Sequence, residues 1–121
     1  MYADTDFFIA LLKDQDWLKQ QALELLKKYK GDISTSVVTV MEHLFLCAKF
    51  DIDPEEALLC LFQIAKVEGI DEGKALCSAH LMKKFGLGPL DAMHACWCNG
   101  VIISSDKAFD KVGIKRIALH H

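Results

Sequence analysis

Short β-type runs alternate with helical patterns along this chain, and that alternation leaves few folds open. Val101-Ile102-Ile103-Ser104 is the least ambiguous strand, an apolar run set between Asn99-Gly100 and Ser105-Asp106. Met1 to Asp4, Asp32 to Thr35, Lys66 to Ile70 and Ile114 to Leu119 read as further strands. Helical patterns fill the intervals: Thr5 to about Lys13, Asp14-Gln15-Asp16 to Gly31, Ser36 to about Phe50, Asp53 to about Ala65, Asp71 to about Phe85, and Leu90 to Cys98. In the second of these, Trp17, Leu18, Ala22, Leu25 and Leu26 share one apolar face. Asp53-Pro54-Glu55-Glu56 is a strong helix start, with a capping Asp, Pro at the first helical position and acids in the first turn. Lys107 to Lys111 makes a helical turn. Strands separated by helices pair in parallel through right-handed crossovers. The expected fold is therefore α/β: a three-layer helix–sheet–helix sandwich around a mostly parallel central sheet of four to five short strands. No linker or repeat divides it, so residues 1–119 are expected to form one domain, with His120-His121 read as the stub of a purification tag.

No apolar run approaches the roughly 20 residues of a membrane span. The N-terminus has no basic segment followed by an apolar one, so secretion is not expected. Five cysteines, all in apolar helical patterns, read as reduced, buried thiols of a cytoplasmic protein. An apolar fraction of 52% is high for a soluble domain and points to surface covered by a protein partner, a second copy included.

Four acids stand where such a fold gathers its active site. Asp4 and Asp106 lie at the carboxyl ends of expected strands, where ligands bind in open parallel sheets. Glu42 sits within two turns of the start of the helix after strand two and faces the same rim. Val38, Phe45 and Leu46 surround it on the helix, and no Lys or Arg occurs between Gly31 and Ala48 to pair with it. Asp91 opens a helix, whose dipole favours its ionised form. Taken singly, Asp4, Asp91 and Asp106 could each be a helix cap or first-turn acid; the shared rim is the argument. Carboxylates at about 4 Å repel by about 4 kcal/mol per pair at an effective dielectric near 20. A fold that gathers four must protonate some of them or hold divalent metal. Asp6 and Asp110 are secondary candidates, each an outer acid or a solvated side chain, and Ser104 is either a ligand-orienting hydroxyl or an ordinary strand-end Ser.

The formal charge of −3 speaks against a nucleic-acid partner until the site is considered. With four of the 17 acids committed to metal, the remainder are outnumbered by the 14 Lys and Arg. Basic residues cluster at Lys27, Lys28 and Lys30, at Lys83 and Lys84, and at Lys107, Lys111, Lys115 and Arg116. These are either phosphate contacts or solvated helix ends, the second reading being the stronger for the first two clusters.

The order of these acids resembles the PIN-domain family, which includes toxin ribonucleases of prokaryotic toxin–antitoxin pairs. Asp4-Thr5-Asp6 followed by Phe7-Phe8-Ile9 resembles the family's opening motif, and Glu42 its acid in the helix after strand two. Leu90-Asp91-Ala92-Met93-His94-Ala95 and Ile103-Ser104-Ser105-Asp106-Lys107-Ala108-Phe109 resemble its later segments. Asp6 and Ser104 depart from the usual Asn or Ser and Thr, and Ala108 stands where many relatives carry another acid. The resemblance implies metal-dependent hydrolysis of RNA with one or two Mg²⁺ or Mn²⁺ ions, hard cations that suit oxygen ligands. It implies Asp4, Asp91 and Asp106 as ligands and Glu42 as a ligand or water-orienting group. An antitoxin or other protein is the implied partner, and a homodimer the expected assembly.

Three other readings compete. A PIN-like module that binds RNA or protein without cutting retains all four acids. Asp4-Thr5-Asp6 is also similar to the Asp-x-Asp opening of haloacid-dehalogenase-like phosphatases, which leaves Glu42 and Asp91 unexplained. A zinc module could use Cys77, His80, His94, Cys96 and Cys98, but His94 and Cys98 share a helix face from which Cys96 turns away.

Overall fold

The computed structural model describes residues 1–13 and 17–119. Tyr2–Ala3 (β1), Ser34–Ser36 (β2), Lys66–Glu68 (β3), Val101–Ser104 (β4) and Lys115–Ala118 (β5) form one sheet in the order β3-β2-β1-β4-β5. Every pairing among the described residues is parallel. Among the described residues six α-helices connect them: Thr5–Leu12 (α1), Lys19–Lys28 (α2), Val37–Phe50 (α3), Pro54–Ile64 (α4), Glu72–Phe85 (α5) and Pro89–Trp97 (α6). A 3-10 helix, Lys107–Val112, precedes β5.

Strand alternation divides the core between two faces. Ala3 and Ile103 pack with Phe7, Phe8, Ala22, Ile33 and Leu61 on the side of α1, α2 and α4. Their neighbours Tyr2 and Ile102 pack with Ala95, Trp97, Cys98 and Phe109 on the side of α6 and the 3-10 helix. A two-residue β1 is enough because both faces are covered and both edges paired, with Tyr2 opposite Ser34 and Ile102, and Ala3 opposite Ile103. The Thr35 hydroxyl donates to the Ala3 carbonyl at 2.9 Å.

The expected helix starts meet the structure unevenly. Asp53 accepts from the Glu55 and Glu56 amides, with Pro54 opening α4. Ser36 stands at the cap position of α3 but makes no capping bond, because its hydroxyl pairs with the Tyr2 hydroxyl at 2.8 Å. Asp14-Gln15-Asp16, read as the start of the second helix, lies outside the described residues, and α2 begins at Lys19. Trp17 is not part of that helix's buried face: it sits in a turn, 62% exposed, while Leu18 is buried. The third strand stops at Glu68, and the Gly69 carbonyl accepts from the Trp97 indole N–H at 3.1 Å. All five cysteines are free, but Cys60 and Cys77 are exposed, against the expectation of buried thiols, because their helices turn those positions outward. No described helix is long and apolar enough to cross a membrane.

From β1 the chain moves outward through β2 to β3, then returns to the other side of β1 for β4 and β5. The direction reverses between β1 and β4, which opens a crevice beyond their carboxyl ends. Asp4 leaves β1 there, and Ser104-Ser105-Asp106 leaves β4.

Candidate active site and metal centre

Asp4 is fixed from three sides. It caps α1, Oδ1 accepting from the Thr5 amide at 2.7 Å. Oδ2 accepts from the Ser104 hydroxyl at 2.7 Å, and the same Ser104 oxygen accepts from the Asp106 amide at 2.9 Å. Ser104 thus ties the ends of two neighbouring strands together. The His94 Nε2 lies 3.3 Å from Asp4 Oδ1.

Glu42 reaches the crevice from the second turn of α3. Its Oε1 accepts from the Thr5 hydroxyl at 3.0 Å and from His94 Nε2 at 2.5 Å. The other ring nitrogen of His94, Nδ1, is 2.8 Å from the Tyr2 hydroxyl, itself bonded to Ser36. A proton on Nε2 serves the carboxylates, and Nδ1 then accepts from Tyr2. Asp4, Glu42 and His94 bring one ligand atom each within 4.8 Å of one another.

Asp91, in the first turn of α6, and Asp106, before the 3-10 helix, line the same open cleft of about 450 Å³ with Asp4, Asp6 and Glu42. Asp106 also caps its helix, Oδ1 accepting from the Ala108 amide at 2.9 Å. Asp6 Oδ2 accepts from the Ser105 amide at 2.8 Å and from its hydroxyl. Among the described residues, Asp6 Oδ1 is buried without a hydrogen-bond partner. Asp110 is elsewhere: it is exposed and clamps Arg116 through Nε at 3.1 Å and Nη2 at 3.2 Å.

Crowding and burial act on the acids together. Burial pushes the Asp4 carboxyl up against the opposing pull of His94, Ser104 and Thr5. Burial, followed by the Asp4 charge, pushes Asp6 up to about 6. Asp91 is raised by burial and then by Asp106 beside it. Burial lowers His94, but the Glu42 hydrogen bond and the charges of Asp4, Glu42 and Asp91 outweigh it, so the net direction is upward. Among the described residues no Lys or Arg lines the cleft.

These residues fit a hard divalent cation. The donors are oxygens from four separate elements, burial and neighbouring charge raise the carboxyls of Asp4, Asp6 and Asp91, and among the described residues the Asp6 Oδ1 has no partner. His94 is the residue that sequence reasoning left out of this site, having weighed it only as a zinc ligand beside Cys96 and Cys98. Its signal was its place three residues after Asp91, on the same face of α6. Among the described residues no metal-holding group includes a cysteine.

The parallel sheet and its carboxylate-lined crevice define an α/β protein with acids gathered at the carboxyl edge of its sheet. Its family is shown by sequence: the model of the PIN domain matches residues 1–115, and the chain belongs to the PIN-domain family. The fold is similar to that of VapC20 of Mycobacterium tuberculosis, a Sarcin-Ricin loop cleaving toxin. The two are 17% identical over 93% of this chain and 95% of that one, with a TM-score of 0.81. A toxin–antitoxin complex from Klebsiella pneumoniae contains a chain 18% identical over 99% of this chain and 98% of its own, with a TM-score of 0.77. FitAB bound to the IR36 DNA fragment gives 17%, 99% and 95%, with a TM-score of 0.79. At these identities the likeness is one of fold. No curated protein matches the chain.

Proposed function

We propose that this PIN domain is a metal-dependent ribonuclease, the toxin of a toxin–antitoxin pair. The observation that carries the reading is the delivery of Asp4, Glu42, Asp91 and Asp106 by four different elements to one cleft at the reversal point of the sheet. Asp4, Asp91 and Asp106 are assigned as ligands of one or two Mg²⁺ or Mn²⁺ ions, with Glu42 as a further ligand or the group that orients the attacking water. Such an ion supplies Lewis acidity toward water and phosphate. The protein supplies position: Ser104 and the Thr5 amide hold Asp4, while Thr5 and His94 hold Glu42 in the orientation the cleft requires. Asp6 stands behind them, fixed by Ser105.

The solved relatives support the toxin assignment, since one is a Sarcin-Ricin loop cleaving toxin and another comes from a toxin–antitoxin complex. An apolar groove lined by Phe8, Leu11, Leu23, Leu26 and Leu61 supports an antitoxin as partner. Exposed Met41, Leu44 and Phe45 on α3 support a second copy of the chain as another. Five free thiols suit a reducing, cytoplasmic setting.

Cleavage of several RNAs in Mg²⁺, Mn²⁺ or EDTA tests the reading, with Asp106→Asn as the control. Asn keeps the hydrogen bond to the Ala108 amide but removes the charge. The variant is expected to stay folded and to lose metal-dependent cleavage by a factor on the order of a hundred or more. Wild-type protein that binds RNA but cuts none would leave the binding-module reading, which Ala108 in place of a further acid favours. Cleavage that survives Asp106→Asn would place the activity outside this cleft.

A further inference from the structure

A second depression, of about 510 Å³, adjoins the acidic cleft and shares Ser105 with it. Trp17, Lys107, Arg116, Ala118 and Leu119 complete its lining. Its chemistry is the reverse of its neighbour's: an exposed indole and two cations in place of carboxylates. Leu18, the residue after Trp17, lines the acidic cleft, so the indole stands at the border of the two. Arg116 is held flat by Asp110 through two hydrogen bonds, and its Nη1 donates to the Ser104 carbonyl at 3.3 Å. Part of its charge is balanced by Asp110. Lys107 is exposed on the opening residue of the 3-10 helix, beside Asp106.

We propose that this depression is a nucleotide subsite for single-stranded RNA, in which a base stacks on Trp17 while the adjoining phosphate is held by Lys107 and Arg116. The proposal rests on the ribonuclease reading for the direction of the strand, which would run from this subsite into the acidic cleft across Ser105. An exposed aromatic next to cations is what unpaired bases bind, since every base has a face to stack and every link a phosphate to neutralise. Duplex RNA, with its bases already stacked, would not seat there. The charge arrangement favours this ligand over a protein segment: an acidic strand is drawn to Lys107 and Arg116 and repelled by the bare carboxylates, so it settles on one side of Ser105 until a cation is present.

The chain carries its own reporter. It has two tryptophans, and Trp97 is 1% exposed, so quenching by an added ligand reports on Trp17. Unlabelled single-stranded oligoribonucleotide, titrated into the protein in EDTA, is expected to quench indole emission with an affinity that falls with salt. With binding read instead by the anisotropy of a dye-labelled single-stranded oligoribonucleotide, since these variants lose the indole reporter, Trp17→Ala should weaken it on the order of tenfold and Trp17→Phe should restore most of it. Lys107→Gln should lower the slope of affinity against salt by about one phosphate contact. Equal quenching by duplex RNA, or unchanged affinity in Trp17→Ala, would overturn the proposal. So would emission that shifts on raising the protein concentration but not on adding RNA, which would make Trp17 a protein contact. With Mn²⁺ added, wild type that quenches but does not cut would sink the nuclease reading and leave the subsite standing. Cleavage by Trp17→Ala with unaltered KM would do the opposite.

Discussion

The geometry of the site depends on a residue that carries no charge in the simplest reading of the chain. His94 donates to Glu42, lies 3.3 Å from Asp4, and is backed by Tyr2 and Ser36. Replacing it with Phe fills similar space but leaves two carboxylates without their shared donor and the Tyr2 hydroxyl short of a partner. His94→Phe is expected to lose about 1–3 kcal/mol, the usual cost of unsatisfied buried polar groups. Urea melts in EDTA measure it, and Mn²⁺ should narrow the gap between variant and wild type by standing between the same carboxylates. A variant as stable as wild type would show that the acids do not need the ring. Sequence reasoning expected Asp4, Glu42, Asp91 and Asp106 on one rim because each stood at a strand end or helix position facing it, and the four line one cleft. It left out His94, whose contacts to Asp4 and Glu42 join distant parts of the chain and whose side chain is ambiguous in an apolar helix, so that its spacing from Asp91 was the one signal on offer. The same limit applied to Ser104, where strand-end Ser and ligand-orienting Ser look alike until Asp4 is seen 2.7 Å away.

Among the elements, α4 was written most plainly in the sequence. Asp53 takes the amides of Glu55 and Glu56, Pro54 presets the first turn, and two acids complement the helix dipole. Asp53→Ala is expected to cost about 1 kcal/mol, read as a lower urea midpoint with unchanged slope. No shift in midpoint would mean that α4 is held by its buried Ala57 and Leu61 alone. The capping signal at Ser36 was as good locally and yet misled, because a hydroxyl near the centre of the molecule had a better-placed partner in Tyr2. The short β1 was legible for a different reason. Its neighbours in the sheet were recognisable, and two residues suffice when pairing comes from both sides. Trp17 was assigned to a buried face by helical spacing, but the helix begins two residues later, and the spacing rule does not apply ahead of its start.

For the molecule as a whole, the acids set how stability changes with pH. Asp4, Asp6 and Asp91 have folded-state pKa values raised above their ordinary 3.8, so folding favours their protonated forms. Their contribution is complete below the unfolded value and is lost as pH rises, for Asp6 through about 6. His94, raised above 6.5, adds stability that is present below that value and lost as pH climbs through the folded one. Both kinds of group therefore act in the same direction. Two groups act oppositely: Asp110, lowered by Arg116, has its window below 3.8 and an exposed carboxylate, and His43, lowered by burial, offsets part of the trend below 6.5. In EDTA the Tm is expected to be higher near about pH 5 than near about pH 7.5, and millimolar Mn²⁺ should raise it most at the higher pH. A Tm that rises with pH in EDTA, or ignores Mn²⁺ at both, would count against a metal site.

The bond from Ser104 to Asp4 joins residues 100 positions apart, and the Asp4 amide reaches across to the Ile103 carbonyl. Contacts of such separation form late, after most of the chain has been brought into place. During synthesis the first strand must therefore wait for the fourth, and Asp4 has no Asp106 beside it until residue 106 has been made. A chain proposed to cut RNA thus lacks its full set of acids until Asp106 has been added. Any fragment that ends before Ser104 carries the opening acids but never the cleft.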